Sequence, residues 1–108
     1  MSTTRRFPLA VLARGSVIGR YVELGHRPSR DIVVMKTRIG IDARIRSHAV
    51  IYSNCVIGDE FETGHHVVIR EENVLGDRVW IWSHSTIDYG CQIGHRSEEH
   101  TSELQSQR

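Results

Sequence analysis

The sequence predicts an all-β fold, a parallel β-helix built from six-residue repeats, and two observations lead to it. First, one residue in six is aliphatic in a single unbroken register, with one exception. Counting by six gives Ile39, Ile45, Ile51, Ile57, Thr63, Ile69, Leu75, Ile81, Ile87 and Ile93. Second, every third repeat opens with an aliphatic–glycine pair, so the larger period is eighteen residues. An α-helix cannot keep every sixth residue on one face, because its period is 3.6 residues, whereas three short strands joined by tight turns can.

Composition describes one soluble domain of 108 residues, 39% apolar and 25% charged, with a formal net charge of +1. No run of eighteen apolar residues is present, which argues against a membrane-spanning helix, and the near-neutral charge gives no reason to expect nucleic-acid binding. Cys55 and Cys91 lie two coils apart in the repeat. Coils stack at about 4.8 Å, so their Cα atoms should be roughly 10 Å apart, too far for a disulfide. We expect two buried thiols and a reducing, cytoplasmic compartment.

Three segments follow from the register. Residues 1–11 are expected to be a lead-in that caps the first coil, as solenoids require, and residues 12–95 form the β-helix. Leu24 and Val33, both taken as inward, are nine residues apart instead of six. We therefore expect an extruded, turn-rich loop over residues 25–31.

The hexads stop abruptly at Arg96. Residues 96–106 resemble, codon by codon, the translation of a common sequencing-library adapter. Residues 96–108 are therefore expected to be a non-native tail that carries no function, and the natural protein is expected to continue past His95 with different residues.

Three histidines are the main candidates for chemistry. His48, His66 and His84 are spaced eighteen residues apart, so they should form one column along the stack, with His65 beside it. Neighbouring imidazoles disfavour each other's protonation, so some should be neutral at pH 7 and able to accept a proton. Duplication of the repeat would also explain the column. Thr63, the exception in the aliphatic register, opens the turn that holds His65 and His66, and local departures from a pattern often mark functional sites.

Charged residues follow on the next turn. Glu72 could orient a histidine, or Arg70 and Glu71 could be paired surface charges. Asn73 takes an inward position and is expected to hydrogen-bond to the backbone. Trp80 and Trp82 should point outward, as a subunit contact in preference to a ligand platform. A linear column of histidines within one subunit does not converge on one ion, so no metal site is predicted. The alternative is a site between subunits, with ligands from facing coils.

The stretch from Val33 to His95 resembles the left-handed β-helix hexapeptide-repeat acyltransferases. Residues 57–73, IGDEFETGHHVVIREEN, look especially like the branch of N-acyltransferases that act on UDP-linked amino sugars. The resemblance implies left-handed winding, a homotrimer with active sites in grooves between subunits, acetyl-CoA as acyl donor, and a histidine base. It also implies that the CoA-binding coils lie later than those present here. The candidate catalytic residues are then His66, His84 and His65, and the candidate substrate-binding residues are Glu72, Arg70 and His48.

Two alternatives belong to other functional classes. The chain also resembles, on fold alone, the γ-class carbonic anhydrase-like zinc enzymes, whose pattern places two histidines five residues apart. Here Tyr89 stands five residues after His84 and Glu71 five after His66, which argues against that class. The other alternative is a non-catalytic trimerising β-helix scaffold, because a fold never proves a function.

Overall fold

The computed structural model describes residues 7–99 and 103–104. Within these ranges the chain forms fifteen short strands and no helix, and hence no helix that could cross a membrane. The strands are β1 (Ala10–Leu12), β2 (Val17–Ile18), β3 (Glu23–His26), β4 (Thr37–Ile39), β5 (Arg44–Ile45), β6 (Val50–Tyr52), β7 (Val56–Ile57), β8 (Glu62–Thr63), β9 (Val68–Ile69), β10 (Val74–Leu75), β11 (Trp80–Ile81), β12 (Thr86–Ile87), β13 (Gln92–Ile93), β14 (Glu98–Glu99) and β15 (Glu103–Leu104).

Consecutive strands belong to three different sheets. The strand orders are β1-β4-β7-β10-β13, β14-β11-β8-β5-β2 and β15-β12-β9-β6-β3, and the paired strands run parallel. Each strand therefore pairs with the strand three places along the chain. The prediction of an all-β fold with parallel strands is confirmed, and the arrangement is compatible with a parallel β-helix.

The core is a stack of side chains from equivalent repeat positions. Leu75 lies opposite Ile57 on one side and Ile93 on the other. Every residue of the aliphatic register from Ile39 to Ile93 is buried, including Thr63. The residues four positions after the openers from Ile39 to Ile87 are buried too, and all except Phe61 are smaller than isoleucine: Ala43, Ala49, Cys55, Phe61, Val67, Asn73, Val79, Ser85 and Cys91. Each two-residue strand buries little by itself, so stability comes from stacking coil on coil.

The turns between strands share one unusual backbone conformation. The third residue after each register position has a left-handed φ, as in Asp42 (59°), Asn54 (64°) and His66 (56°). Asn, Asp and His are the non-glycine residues most often found in this region. The backbone N–H of the same residue donates to the preceding coil, as from His66 to the Ser47 carbonyl (3.0 Å). Successive turns are thereby locked directly above one another.

The extruded loop is longer than predicted, and the inward assignment of Val33 was wrong. Leu12 lies opposite Ile39, a separation of 27 residues, so the first coil holds nine more residues than those above it. Strand β3 continues through His26, and residues 27–36 have no regular structure. Val33 is 81% exposed. Its carbonyl accepts a 2.7 Å hydrogen bond from Asn54 Nδ2, which holds this segment on the outside of the stack.

The two ends of the chain add to the stack. Strand β1 begins at Ala10, inside the predicted lead-in, and Phe7 is 5% exposed and belongs to the core; residues 1–6 lie outside the described part. In the predicted tail, β14 pairs with β11 and β15 with β12. Residues 100–102 and 105–108 are not described. The adapter origin of residues 96–108 stays a prediction.

Asn73 hydrogen-bonds to the backbone, as predicted. Its Oδ1 accepts from the Cys91 N–H (2.7 Å), and its Nδ2 donates to the Arg70 carbonyl (2.7 Å). Cys55 and Cys91 are both buried, and neither forms a disulfide. Burial raises the pKa of the Cys55 thiol to about 11, so it stays protonated and serves as a small core residue.

Candidate functional site

The turn at residues 64–66 requires glycine at its first position. A Cβ atom on Gly64 would lie 2.1 Å from Ser83 Oγ and 2.5 Å from the Ser83 backbone nitrogen. Because glycine lacks that atom, the turn that contains Ser83 can pack directly against Gly64. The His65 N–H then donates to Ser83 Oγ (2.8 Å). Glycine at this position therefore sets how closely the histidine-bearing turn packs against its neighbour.

Thr63 has a structural role that explains its departure from the aliphatic register. Its buried Oγ1 accepts from the Arg46 N–H (3.2 Å) of the preceding coil. The Arg46 guanidinium in turn donates to the Thr63 carbonyl (2.9 Å) and to Glu62 Oε2 (2.7 Å). The threonine hydroxyl therefore binds the Arg46 backbone, while Glu62 and the carbonyl of residue 63 hold the Arg46 side chain beside the turn that presents the histidines.

Three of the candidate histidines form one continuous stack, called here the histidine column: His48, His66 and His84. The ring centroids are 4.5 Å apart for His48–His66 and 5.2 Å for His66–His84, with interplanar angles of 12° and 7°. Tyr21 extends the stack at 5.0 Å from His48. All three histidines have a left-handed φ. Their side chains are therefore aligned by the repeating turn conformation.

The column affects the protonation of its middle member. Shielding from water within the stack, together with the neighbouring His48, His84 and His65, lowers the pKa of His66 from 6.5. Each imidazolium would repel a second one beside it. His66 is therefore neutral at physiological pH, with a ring nitrogen that can accept a proton.

His65 is exposed beside the column and is held by a separate contact. Its Nδ1 lies 2.8 Å from Ser47 Oγ of the preceding coil. The ring lines an open groove of about 480 Å³, called here the arginine groove, whose walls include Arg44 and Arg46. The groove brings two cationic side chains and an imidazole to one surface.

The structure does not bring Arg70 and Glu72 to the histidines. They lie beyond β9, on the next turn of the coil. Arg70 Nε donates to Glu71 Oε1 (3.0 Å), and Glu72 Oε1 accepts from Arg30 (2.6 Å). Among the described contacts, Glu72 does not reach a histidine, so its suggested role in orienting one has no support here.

A second polar cluster, which we call the arginine clasp, was missed by the sequence reasoning: Arg30 with Glu71 and Glu72. Arg30 leaves the long loop and donates 2.6 Å hydrogen bonds to both carboxylates, and its guanidinium lies 3.9 Å from the Tyr89 ring centroid. Glu71 is fully buried, so its interpretation as a surface charge was wrong. The repeat spacing carries no signal for this contact, because it depends on the path of the loop.

Two opposing effects act on Glu71. Burial raises the pKa of its carboxyl, but hydrogen bonds from Arg30, from its own backbone and from Arg70 outweigh burial, and the pKa is lowered from 4.5. The carboxylate is therefore charged and satisfied inside the protein, as a buried charge must be.

The tryptophans point outward as predicted, on either side of the buried Ile81. Trp82 is 46% exposed. The two indole rings stack at 5.3 Å, and the Arg46 guanidinium lies 5.9 Å from the Trp80 ring centroid. The tryptophans therefore extend the surface that begins at the arginine groove. Their proposed role as a subunit contact stays a prediction.

Across residues 7–99 and 103–104, no group of three or more His, Cys, Asp and Glu residues could hold a metal ion. The column imidazoles stack face to face instead of converging on a point. Within the described part of one chain, the column histidines therefore do not come together as ligands of a single ion.

Comparison with family models, with curated proteins and with solved structures finds no match for this chain. The functional argument therefore rests on the residues and geometry described above.

Proposed function

We propose that the chain is part of a hexapeptide-repeat acyltransferase that transfers an acetyl group from acetyl-CoA to an amino sugar or sugar nucleotide. The proposal includes left-handed coils of eighteen residues, a homotrimer and a cytoplasmic location. One observation carries it: an exposed turn places His65 at a groove lined by two arginines, with His66 next to it in the chain. This combination suits a reaction in which a neutral base acts on a substrate that carries phosphate.

The chemistry needs a proton acceptor at the moment of attack. The acceptor amine attacks the thioester carbonyl, an N–C bond forms and the C–S bond breaks. The amine proton passes to a neutral imidazole, and the departing CoA thiolate takes up a proton. General-base catalysis of this kind is worth about 10²–10⁴-fold in rate. The lowered pKa of His66 supports the presence of a neutral imidazole at this turn.

The arginine groove supports a phosphate-bearing substrate. Arg46 is oriented by its hydrogen bonds to Glu62 and to the Thr63 carbonyl, and Arg44 lies in the same groove. Guanidinium groups form strong charge-assisted hydrogen bonds with phosphate oxygens. We expect the remaining donor contacts on coils later than His95.

Exposed aliphatic side chains support the homotrimer. Val56 and Val74, paired neighbours on β7 and β10, are 53% and 47% exposed, and Met35 lies beside them. Contiguous apolar surface on a folded protein commonly marks a protein contact.

A non-catalytic scaffold is the second candidate, and one observation favours it. His48, His66 and His84 all occupy left-handed turn positions, where histidine is enriched for conformational reasons. Their recurrence therefore has an explanation that requires no reaction.

An acylation assay separates the two candidates. The purified full-length protein, including the coils expected after His95, is incubated with acetyl-CoA and a panel of amino sugars and UDP-linked amino sugars, and CoA thiol release is followed. We expect transfer to at least one acceptor, and a loss of about 10²–10⁴-fold in His65→Asn or His66→Asn. Asparagine keeps the left-handed turn at position 66, and His26→Asn, away from the turn, is the control. Absence of transfer to every acceptor would reject the acyltransferase and leave the scaffold.

A further inference from the structure

We infer that Ser47 is a positioning residue for His65, and that His65, not the stacked His66, is the base that takes the acceptor proton. The second half of this inference rests on the proposed function. The first half is a statement about hydrogen bonding and stands independently of it.

His65 is held from both directions along the stack. Ser47, one coil earlier, contacts the ring through its Oγ, 2.8 Å from His65 Nδ1. Ser83, one coil later, accepts from the His65 backbone N–H, also at 2.8 Å. The backbone position and one ring nitrogen are therefore both fixed, which is the preorganisation that a general base needs.

His66 is restrained differently. Its ring faces lie against His48 and His84 at 4.5 Å and 5.2 Å. Stacking acts on the faces of a ring and does not select which nitrogen carries the proton. A hydrogen bond to one nitrogen fixes the orientation of the ring, and it also favours one tautomer when the partner hydroxyl acts as the acceptor, because the two nitrogens of neutral imidazole have opposite donor and acceptor roles.

The Ser47 contact permits either tautomer of His65, and the inferred role requires one of them. In that tautomer Nδ1–H donates to Ser47 Oγ, 2.8 Å away, and Nε2 keeps its lone pair for a ligand in the arginine groove. Free imidazole in water prefers the opposite tautomer, with hydrogen on Nε2. During transfer, the amine proton goes to Nε2 of His65, and the resulting imidazolium keeps its Nδ1–H bond to the serine.

The tautomer is directly measurable. Long-range ¹H–¹⁵N spectra of the chain, labelled with ¹⁵N in histidine, report at high pH which ring nitrogen carries hydrogen. We expect His65 to be mainly Nδ1–H in the native chain and in Ser47→Thr, and mainly Nε2–H in Ser47→Ala. His66 and His84 signals should be unchanged, showing that the fold is intact. A native His65 that is mainly Nε2–H, or an unchanged ratio in Ser47→Ala, would overturn the inference.

Kinetics test the catalytic half. Ser47→Ala should lower kcat about tenfold with little change in KM, a part of the ~10²–10⁴ available from a general base, and Ser47→Thr should restore it. Ser29→Ala, which makes the same change at an exposed position of the long loop, is the control and should leave kcat and KM unchanged. Full activity in His65→Asn would overturn the assignment of the base. A full-length protein without transferase activity would reject the proposed function and, with it, the base assignment, whereas the tautomer result would still decide the role of Ser47.

Discussion

At the scale of single residues, the turns impose a conformational requirement that competes with side-chain chemistry. Among the residues that the structure describes, ten non-glycine residues have a left-handed φ, including Glu60 (57°) and Arg78 (56°). This conformation costs an ordinary L-residue roughly 1–2 kcal/mol, whereas Asn and Asp adopt it more readily. His48, His66 and His84 meet the requirement without glycine and bring imidazoles to the surface. Turn positions such as Arg78 are therefore strained, whereas the three histidines adopt the left-handed conformation more readily and also carry a titratable ring.

Relief of this strain is the first prediction. Arg78→Asn replaces an exposed side chain at φ 56° with a residue suited to it, so the free energy of unfolding should rise by about 1 kcal/mol. Gln92→Asn, at an exposed strand position with an extended backbone, is the matched control and should not stabilise. Denaturant unfolding measures both variants. Equal changes in the free energy of unfolding for the two substitutions would show that the backbone at Arg78 is not strained.

Titration of His66 is the second prediction. Its native pKa lies below the ordinary 6.5, so between these two values the unfolded chain binds more protons than the native protein. Stability should therefore fall as pH drops below about 6.5 and level off below the native pKa. In His66→Asn this part of the pH dependence should be lost, whereas in His26→Asn it should remain. Thermal unfolding from pH 8 to pH 5 measures it, and an identical pH profile for native protein and His66→Asn would refute it.

At the scale of elements, the long loop is fastened at two points. Asn54 binds it through the Val33 carbonyl (2.7 Å) and the Met35 N–H (3.0 Å). Arg30 then reaches Glu71 and Glu72, forty-one and forty-two residues away. The loop thus ties the first coil to the third, in a fold where most contacts join adjacent coils.

The clasp supplies the third prediction, from two neighbouring carboxylates that contact the same arginine. Glu71→Gln weakens the pairing of a fully buried group, which should cost about 1–3 kcal/mol. Glu72→Gln weakens a contact of a carboxylate that is 45% exposed, which should cost no more than about 1 kcal/mol. Denaturant unfolding compares them, and a larger loss in Glu72→Gln would contradict the described burial.

Acid sensitivity follows from the same carboxylate and is the fourth prediction. Because the native pKa of Glu71 is lowered from 4.5, its charged form stabilises the protein above pH 4.5. That contribution is lost as pH falls through the lower native pKa. Glu71→Gln should show a flatter decline in stability below pH 4.5 than the native chain. Parallel declines would show that Glu71 does not carry the effect.

At the scale of the whole molecule, the stacked core could be predicted from the sequence, whereas the path of the long loop and its contacts could not. The aliphatic register determines the core because each coil repeats the one before it, and the residues from Ile39 to Ile93 are buried as expected. Val33 was misplaced because it stands six residues before Ile39 by sequence alone, while the chain has already left the stack. The Arg30–Glu71 contact depends on the course of that loop through space, which no spacing encodes.

The open end of the first sheet gives the fifth prediction. Among the described strands, none pairs with β13 on its outer side. The Val74 N–H donates forward to the Cys91 carbonyl, so the equivalent N–H of Gln92 faces away from the stack. Exposed strand edges add further chains, so light scattering should show association that grows with concentration. Gln92→Pro should reduce it at little cost in stability, because it removes only an outward donor.

Val74→Pro is the control for that edge. It breaks the hydrogen bond to the Cys91 carbonyl and should destabilise by about 1–3 kcal/mol, because that carbonyl loses its donor. A native chain that stays monomeric at all concentrations would refute the open edge, and so would equal loss of stability in the two proline variants.

The pairing of residues has a consequence for how such a chain can change length. Val56, Val74 and Gln92 lie opposite one another in neighbouring coils, so excising eighteen consecutive residues would return every surviving strand to its own sheet. Excising six would keep side chains facing in or out but move each later strand to a different sheet. Excising an odd number within a strand would turn its buried side chains outward. The molecule should therefore tolerate gains and losses in whole coils, or as bulges at a turn, which is where its nine extra residues lie.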